Sequence, residues 1–170
     1  MKHTSVSPLK SPQIIAFLSK LSLALLLGLF LFAPELRAAE KFTPASMDEV
    51  AAIVDSHKGE VVVLNIFASW CPPCVQEAST FVQFYRQYPP SSGIHLYGIS
   101  LDDNLDDLRK FINDYNTNFP VFHCGQDFVD YFEIQTIPTL IVFDREGSLV
   151  EYRIGIASLK ELTDIMNKYK

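Results

Sequence analysis

Two cysteines separated by two prolines, Cys71-Pro72-Pro73-Cys74, are the residues whose types and spacing can do chemistry. A thiolate is both a nucleophile and a metal ligand, so a Cys-x-x-Cys pair admits four readings. A zinc site needs four ligands, and no second Cys or His pair stands at short spacing. Covalent haem attachment needs His directly after the second Cys, and that position is Val75. A purely structural disulfide across two residues removes little chain entropy from the unfolded state. A redox dithiol needs a strand, a turn and a helix start around the pair.

That context is present. Val61-Val62-Val63-Leu64 opens a β-branched apolar run with no polar alternation before Asn65, the pattern of a buried strand. The run breaks at Ala68-Ser69-Trp70, and a helix is predicted from Val75 to about Tyr88. Pro72 and Pro73 fit a first helical turn, where backbone N–H groups have no intrahelical partner and a proline loses nothing. A cysteine at a helix N-terminus faces those N–H groups and the positive end of the macrodipole, which favour its thiolate. The stretch makes one sulfur nucleophilic and holds a second within reach.

Trp70-Cys71-x-x-Cys74 after an apolar strand resembles the active site of the thioredoxin superfamily. Asn65 and Glu77 make the likeness closest to the TlpA/ResA/DsbE-type thiol-disulfide oxidoreductases. The resemblance runs from about Glu60 to the C-terminus and includes Thr136-Ile137-Pro138-Thr139, whose proline is cis in such folds and lies against the cysteines. It implies that Cys71 is the exposed attacking thiolate and that Cys74 resolves the mixed disulfide. Pro72 and Pro73 stiffen the turn between them. Trp70 with the Ile137–Pro138 edge would contact an extended substrate segment. Glu77, three residues past Cys74, shares its helix face. A buried carboxyl there would have a raised pKa and exchange a proton with Cys74; a solvated surface glutamate is the plainer reading. Asn65 reads either as a neutral replacement for thioredoxin's buried acid or as a core Asn bonded to backbone.

The resemblance further implies an enzyme that needs no cofactor and acts on protein disulfides, more as a reductant than as an oxidant. Cytochrome c maturation and metal-centre assembly are the kinds of pathway it suggests, with electrons from a membrane thiol carrier of the DsbD/CcdA kind. The alternative from another class is a copper-binding metallochaperone of the Sco type, with Cys71, Cys74 and either His123 or Cys124 as donors. The peroxiredoxin pattern Pro-x-x-x-Thr-x-x-Cys is absent, as is a large helical insertion of the DsbA type.

The rest of the chain frames this site. Lys2, Lys10 and Lys20 precede the apolar run 21–33, which suits either a cleaved signal peptide or an uncleaved membrane anchor over residues 1–38. The lysines favour a cytoplasmic N-terminus and export of residues 39–170 to the periplasm. Residues 1–38 hold four of the 14 basic groups and one of the 20 acids, leaving the remainder near −9. That balance argues against nucleic acid or anionic lipid as a partner. Ser46-x-x-Glu49 and Ser158-x-x-Glu161 read as capping boxes of two further helices. Asn104 or Asp103 caps another helix to about Tyr115; with strand 119–123 it forms an insert like that of TlpA-type proteins. The Asp residues from 102 to 107 lack the Gly and closing Glu of a calcium loop and read as part of that cap. A short helix over 126–132, a strand over 140–143, a turn at Asp144–Gly147 and a strand over 149–154 complete the pattern. It predicts an α/β, thioredoxin-like fold with a central mixed sheet flanked by helices. Cys124 reads as an unpaired structural cysteine, and His57, His95 and His123 as isolated structural or surface residues.

Overall fold

The computed structural model describes residues 41–169. The expected signal peptide or anchor over 1–38 lies outside the described residues. The centre of the fold is β2 (Val61–Phe67), all seven residues of which are buried. A strand flanked on both edges and covered on both faces has no solvent side, which is why its sequence does not alternate. Around it stand β1 (Thr43–Pro44), β3 (Ile94–Ser100), β4 (Val121–His123), β5 (Thr139–Phe143) and β6 (Leu149–Ile154). The sheet order is β1-β4-β3-β2-β5-β6. Pairing is parallel from β1 through β2 and antiparallel at β5 and β6. The two-residue β1 is an addition to the expected strands.

Among the described residues, five α-helices cover the sheet: α1 (Met47–Ser56), α2 (Pro72–Gln87), α3 (Leu105–Asp114), α4 (Gln126–Tyr131) and α5 (Leu159–Tyr169). Alternate β2 residues point to opposite faces. Val62, Leu64 and Ile66 pack with Val50 and Val54 of α1 and Phe128 of α4. Val61 and Val63 pack with Phe81 and Phe84 of α2 and Leu162 and Met166 of α5. A third cluster joins Phe67 and both active-site cysteines to Leu108, Phe111 and Ile112 of α3. The inserted helix therefore helps to bury the cysteines. This is the thioredoxin-like arrangement that the sequence implies.

Local chemistry accounts for the boundaries. Ser46 and Glu49 close a capping box on α1, with the Glu49 N–H on the Ser46 hydroxyl and the Ser46 N–H on the Glu49 carboxylate. Ser158 and Glu161 do the same for α5. Asn104, not Asp103, caps α3 by accepting the Asp106 N–H at 3.0 Å. In the β5–β6 turn the Asp144 carboxylate accepts from the N–H groups of Glu146 and Ser148, and Gly147 takes φ +80°. No helix among the described residues is long and apolar enough to cross a membrane.

Candidate active site

Cys71 is the N-cap of α2, and Pro72 and Pro73 fill its first two positions. The helix thus begins at Pro72, three residues before the predicted start. The Cys74 N–H donates to the Cys71 sulfur over 3.3 Å, so Cys71 takes the place that a Ser or Asp oxygen occupies at an ordinary cap. The two sulfurs form a disulfide, with the Cα atoms 5.3 Å apart. Cys71 is 3% exposed and Cys74 1%. This corrects the expectation of an exposed Cys71: in the disulfide both sulfurs are covered by Phe67, Ala78 and the α3 side chains.

The opposite wall is the loop before β5. The Ile137–Pro138 peptide is cis, and the Ile137 carbonyl oxygen lies 3.7 Å from the Cys71 sulfur. In a disulfide this is a contact; a Cys71 thiol would donate there. The Thr139 hydroxyl donates to the Thr136 carbonyl at 2.6 Å and closes the loop on itself, while the Gly155 N–H donates to the Pro138 carbonyl at 2.9 Å and ties the loop to the end of β6. Trp70 stands out at 65% exposed, immediately before the disulfide. It forms a shallow groove of about 260 Å³ with Val75 and the α3 residues Asp107, Lys110 and Phe111. Trp70, the prolines and the Ile137–Pro138 loop are thereby gathered around one sulfur.

Glu77 lies one helical turn beyond Cys74 and is 2% exposed. Its Oε2 accepts the Ala157 N–H at 2.9 Å, while its Oε1 is buried without a partner. Burial pushes its pKa up to about 7, against the opposing pull of the Ala157 N–H and the nearby Arg153 charge. The surface reading of Glu77 is therefore excluded. Asn65 is buried in β2 at 5% exposed, and its Oδ1 likewise has no partner. By alternation it points to the α2 side of the sheet, between Val63 and Phe67.

One residue of this site escaped the sequence reading. Asp102 is buried, and its carboxylate accepts from the Ser69 N–H at 3.0 and 3.1 Å, from the Ser69 hydroxyl and from the Ser100 hydroxyl at 2.7 Å. It anchors the turn that delivers Trp70 and Cys71. Hidden in a run of aspartates, it looked like part of a helix cap; only its position directly after an apolar strand set it apart.

The remaining candidates separate. Cys124 is free and buried, on the face covered by α1 and α4, and burial with Asp127 and Glu49 nearby pushes its thiol up to about 12. His123 Nε2 lies 2.8 Å from the Asp102 carbonyl oxygen. Among the described residues, the one group of three possible ligand atoms lying close together includes neither the cysteines nor His123. His57 and His95 are not isolated: their rings stack at 3.7 Å. The stack joins α1 to β3, a proximity that sequence distance conceals.

Comparison with known proteins places this geometry. The chain is 29% identical over 112 residues to thiol-disulfide oxidoreductase ResA of Bacillus anthracis, covering 65% of this chain and 64% of that protein. It is 28% identical over 151 residues to sporulation thiol-disulfide oxidoreductase A of Bacillus subtilis (strain 168), covering 82% of this chain and 91% of that protein. The chain thus spans about 64% of the length of the ResA relatives that it matches. The crystal structure of StoA from Bacillus subtilis superposes with a TM-score of 0.57 at 27% identity, over 64% of this chain and 84% of that one. A thioredoxin-family thiol:disulfide interchange protein from Chlorobium tepidum TLS gives a TM-score of 0.62 at 26% identity, over 68% and 83%. These likenesses bear out the ResA/DsbE resemblance and the thioredoxin-like fold. The model of the AhpC/TSA family matches residues 36–152, from before β1 into β6 and across both redox cysteines, and with well over half of its length inside that match this chain belongs to the AhpC/TSA family.

Proposed function

We propose that this protein is an exported thiol-disulfide oxidoreductase that reduces protein disulfides through Cys71 and Cys74. The observation that carries this reading is the Cys71 sulfur itself: it caps α2, accepts the Cys74 N–H, bonds to Cys74 and touches the cis-proline loop. In the reduced protein the cap favours the Cys71 thiolate. That thiolate attacks one sulfur of a substrate disulfide; the substrate S–S bond breaks and its other sulfur leaves as a thiolate that takes up a proton. Cys74, having lost its proton, then attacks the Cys71 sulfur, which restores the Cys71–Cys74 disulfide and releases the second substrate thiol. Two electrons pass from the protein dithiol to the substrate. In this reading Glu77, one helical turn beyond Cys74 and with its pKa pushed up to about 7, takes the Cys74 proton and returns it to the departing thiolate.

Trp70, Pro72 and Pro73 form one bank of the substrate path, and the Ile137 backbone with Pro138 forms the other, where an extended segment can pair. A membrane thiol carrier of the DsbD/CcdA kind would return the two electrons. Export rests on the basic and apolar N-terminal sequence, as a cleaved signal peptide or as a tether to the inner membrane. Periplasmic substrates in cytochrome c maturation or metal-centre assembly fit that placement. A Cys74→Ser variant stalls at the mixed disulfide. In cells it should accumulate disulfide-linked adducts through Cys71 that a reductant releases and that Cys71→Ser abolishes. Adducts that survive Cys71→Ser, or none in the stalled variant, would overturn the assignment.

A further inference from the structure

At the other end of β2 from the disulfide, about 20 Å away by the rise of a seven-residue strand, three metal-ligating side chains converge. His57 closes α1, Glu60 directly precedes β2, and His95 is the second residue of β3. Glu60 Oε2 lies 2.6 Å from His95 Nε2 and 3.5 Å from His57 Nδ1. One ligand atom from each residue falls within 4.8 Å of the others. The far nitrogen of His57, Nε2, is 2.7 Å from the Tyr97 hydroxyl.

From this arrangement we infer a binding site for a divalent first-row transition cation, held by His57 Nδ1, His95 Nε2 and the Glu60 carboxylate with water completing the shell. The chemistry of the donors chooses the class. Two imidazoles and one carboxylate suit zinc and its neighbours, whereas calcium and magnesium take oxygen ligands throughout. Zinc bonds of 2.0–2.2 Å in a tetrahedron put ligand atoms roughly 3.3 Å apart. The 3.5 Å Glu60–His57 separation is near that value; to take the ion, the 2.6 Å Glu60–His95 contact must open and the rings, stacked 20° from parallel, must swing apart so that both in-plane lone pairs reach it.

Two further features favour a ligand site over a simple ion pair. Metal-bound histidines hold their other ring nitrogen to a hydrogen-bonding partner, and Tyr97 supplies that for His57. The rings are 21% and 12% exposed and the carboxylate 43%, so an ion can reach a site whose imidazoles are otherwise mostly covered. Once bound, the ion would tie α1 to the start of two central strands and stabilise the folded state in proportion to its occupancy.

The test uses the full, untagged chain with the Cys71–Cys74 disulfide intact, so that the thiolates cannot bind metal. Zn²⁺ is titrated against a chromophoric chelator, and Co²⁺ is added separately for its visible absorption. One equivalent of Zn²⁺ should bind and raise Tm, and Co²⁺ should show the bands of a low-coordinate nitrogen and oxygen site. Glu60→Gln and His95→Gln should each weaken Zn²⁺ by more than ~100-fold, beyond the range for a supporting residue, and Tyr97→Phe by ~10-fold. Thermal melts without metal confirm that each variant folds. Disulfide reduction should proceed at the wild-type rate in all three, which separates this site from the dithiol. Absence of binding, or Zn²⁺ affinity unchanged in Glu60→Gln and His95→Gln, overturns the inference.

Discussion

The Ala157 N–H reaches across from the loop before α5 to donate to Glu77 Oε2 at 2.9 Å, one helical turn beyond the inner cysteine. The contact orients a carboxyl group that has no other hydrogen-bond partner, and its second oxygen is buried. Holding such a group in the core has a consequence for stability as well as for catalysis.

Glu77 has a pKa of about 7 in the folded protein, against 4.5 as its ordinary value. Between those two values the folded state holds a proton that the unfolded state has released, so stability falls as pH rises from ~4.5 to ~7 and is flat above. The interval corresponds to a contribution on the order of 3 kcal/mol. Glu77→Gln keeps the shape and can still accept from Ala157. Denaturant unfolding should show the variant gaining on the wild type across that window. Reduction of a protein disulfide should slow by ~10²-fold, and the Cys74 thiol pKa should drop once the nearby charge is gone. Equal pH profiles for the two proteins would remove Glu77 from the mechanism.

Alkylation of the reduced protein near neutral pH should modify Cys71 first. The Cys74 N–H and the helix end stabilise the Cys71 thiolate, with a pKa in the ~3.5–7.5 range of activated cysteines. Cys124, no more covered than Cys71, should resist because its pKa is pushed up to about 12 and almost none of it is thiolate. Peptide mapping after timed alkylation reads the order directly; early labelling of Cys124 would contradict it.

Asp102 faces only donors: the Ser69 N–H, the Ser69 hydroxyl and the Ser100 hydroxyl. Asp102→Asn sets an amide NH₂ against one of them and leaves a buried donor unsatisfied. A loss of ~1–3 kcal/mol in urea unfolding is expected, together with slower disulfide exchange because the turn carrying Trp70 and Cys71 is loosened. Unchanged unfolding would show that the cluster holds nothing in place.

Trp70 is mostly exposed and belongs to no core cluster. Trp70→Ala should leave stability within ~0.5 kcal/mol of wild type. It should raise KM for a protein disulfide by ~10-fold, the effect of removing an aromatic anchor worth about 1.4 kcal/mol. Reduction of a small-molecule disulfide should be unaffected. Equal losses on both substrates would place Trp70 in the chemistry and not in docking.

Much of this protein was determined by local sequence. The unalternating run Val61–Leu64 requires a strand buried on both faces, and prolines at 72 and 73 require a helix start, because only there is a missing N–H harmless. Cys71 at the cap, and the capping boxes at Ser46 and Ser158, follow from the same short-range rules. Tertiary structure decided whatever depended on approach between distant segments. Glu77 has its raised pKa only because α5 and its preceding loop close over α2 and remove water from the carboxyl. Cys71 is buried because distant segments, α3 and the Ile137 loop among them, close around it, which no spacing near residue 71 encodes. Asp102 becomes an anchor because parallel pairing sets the end of β3 beside the end of β2, and His95 meets His57 and Glu60 because the same pairing aligns their beginnings. Hydrogen-bonding and helix-capping rules act over a few residues and can be read along the chain; desolvation and convergence are properties of the assembled sheet and exist only once it forms.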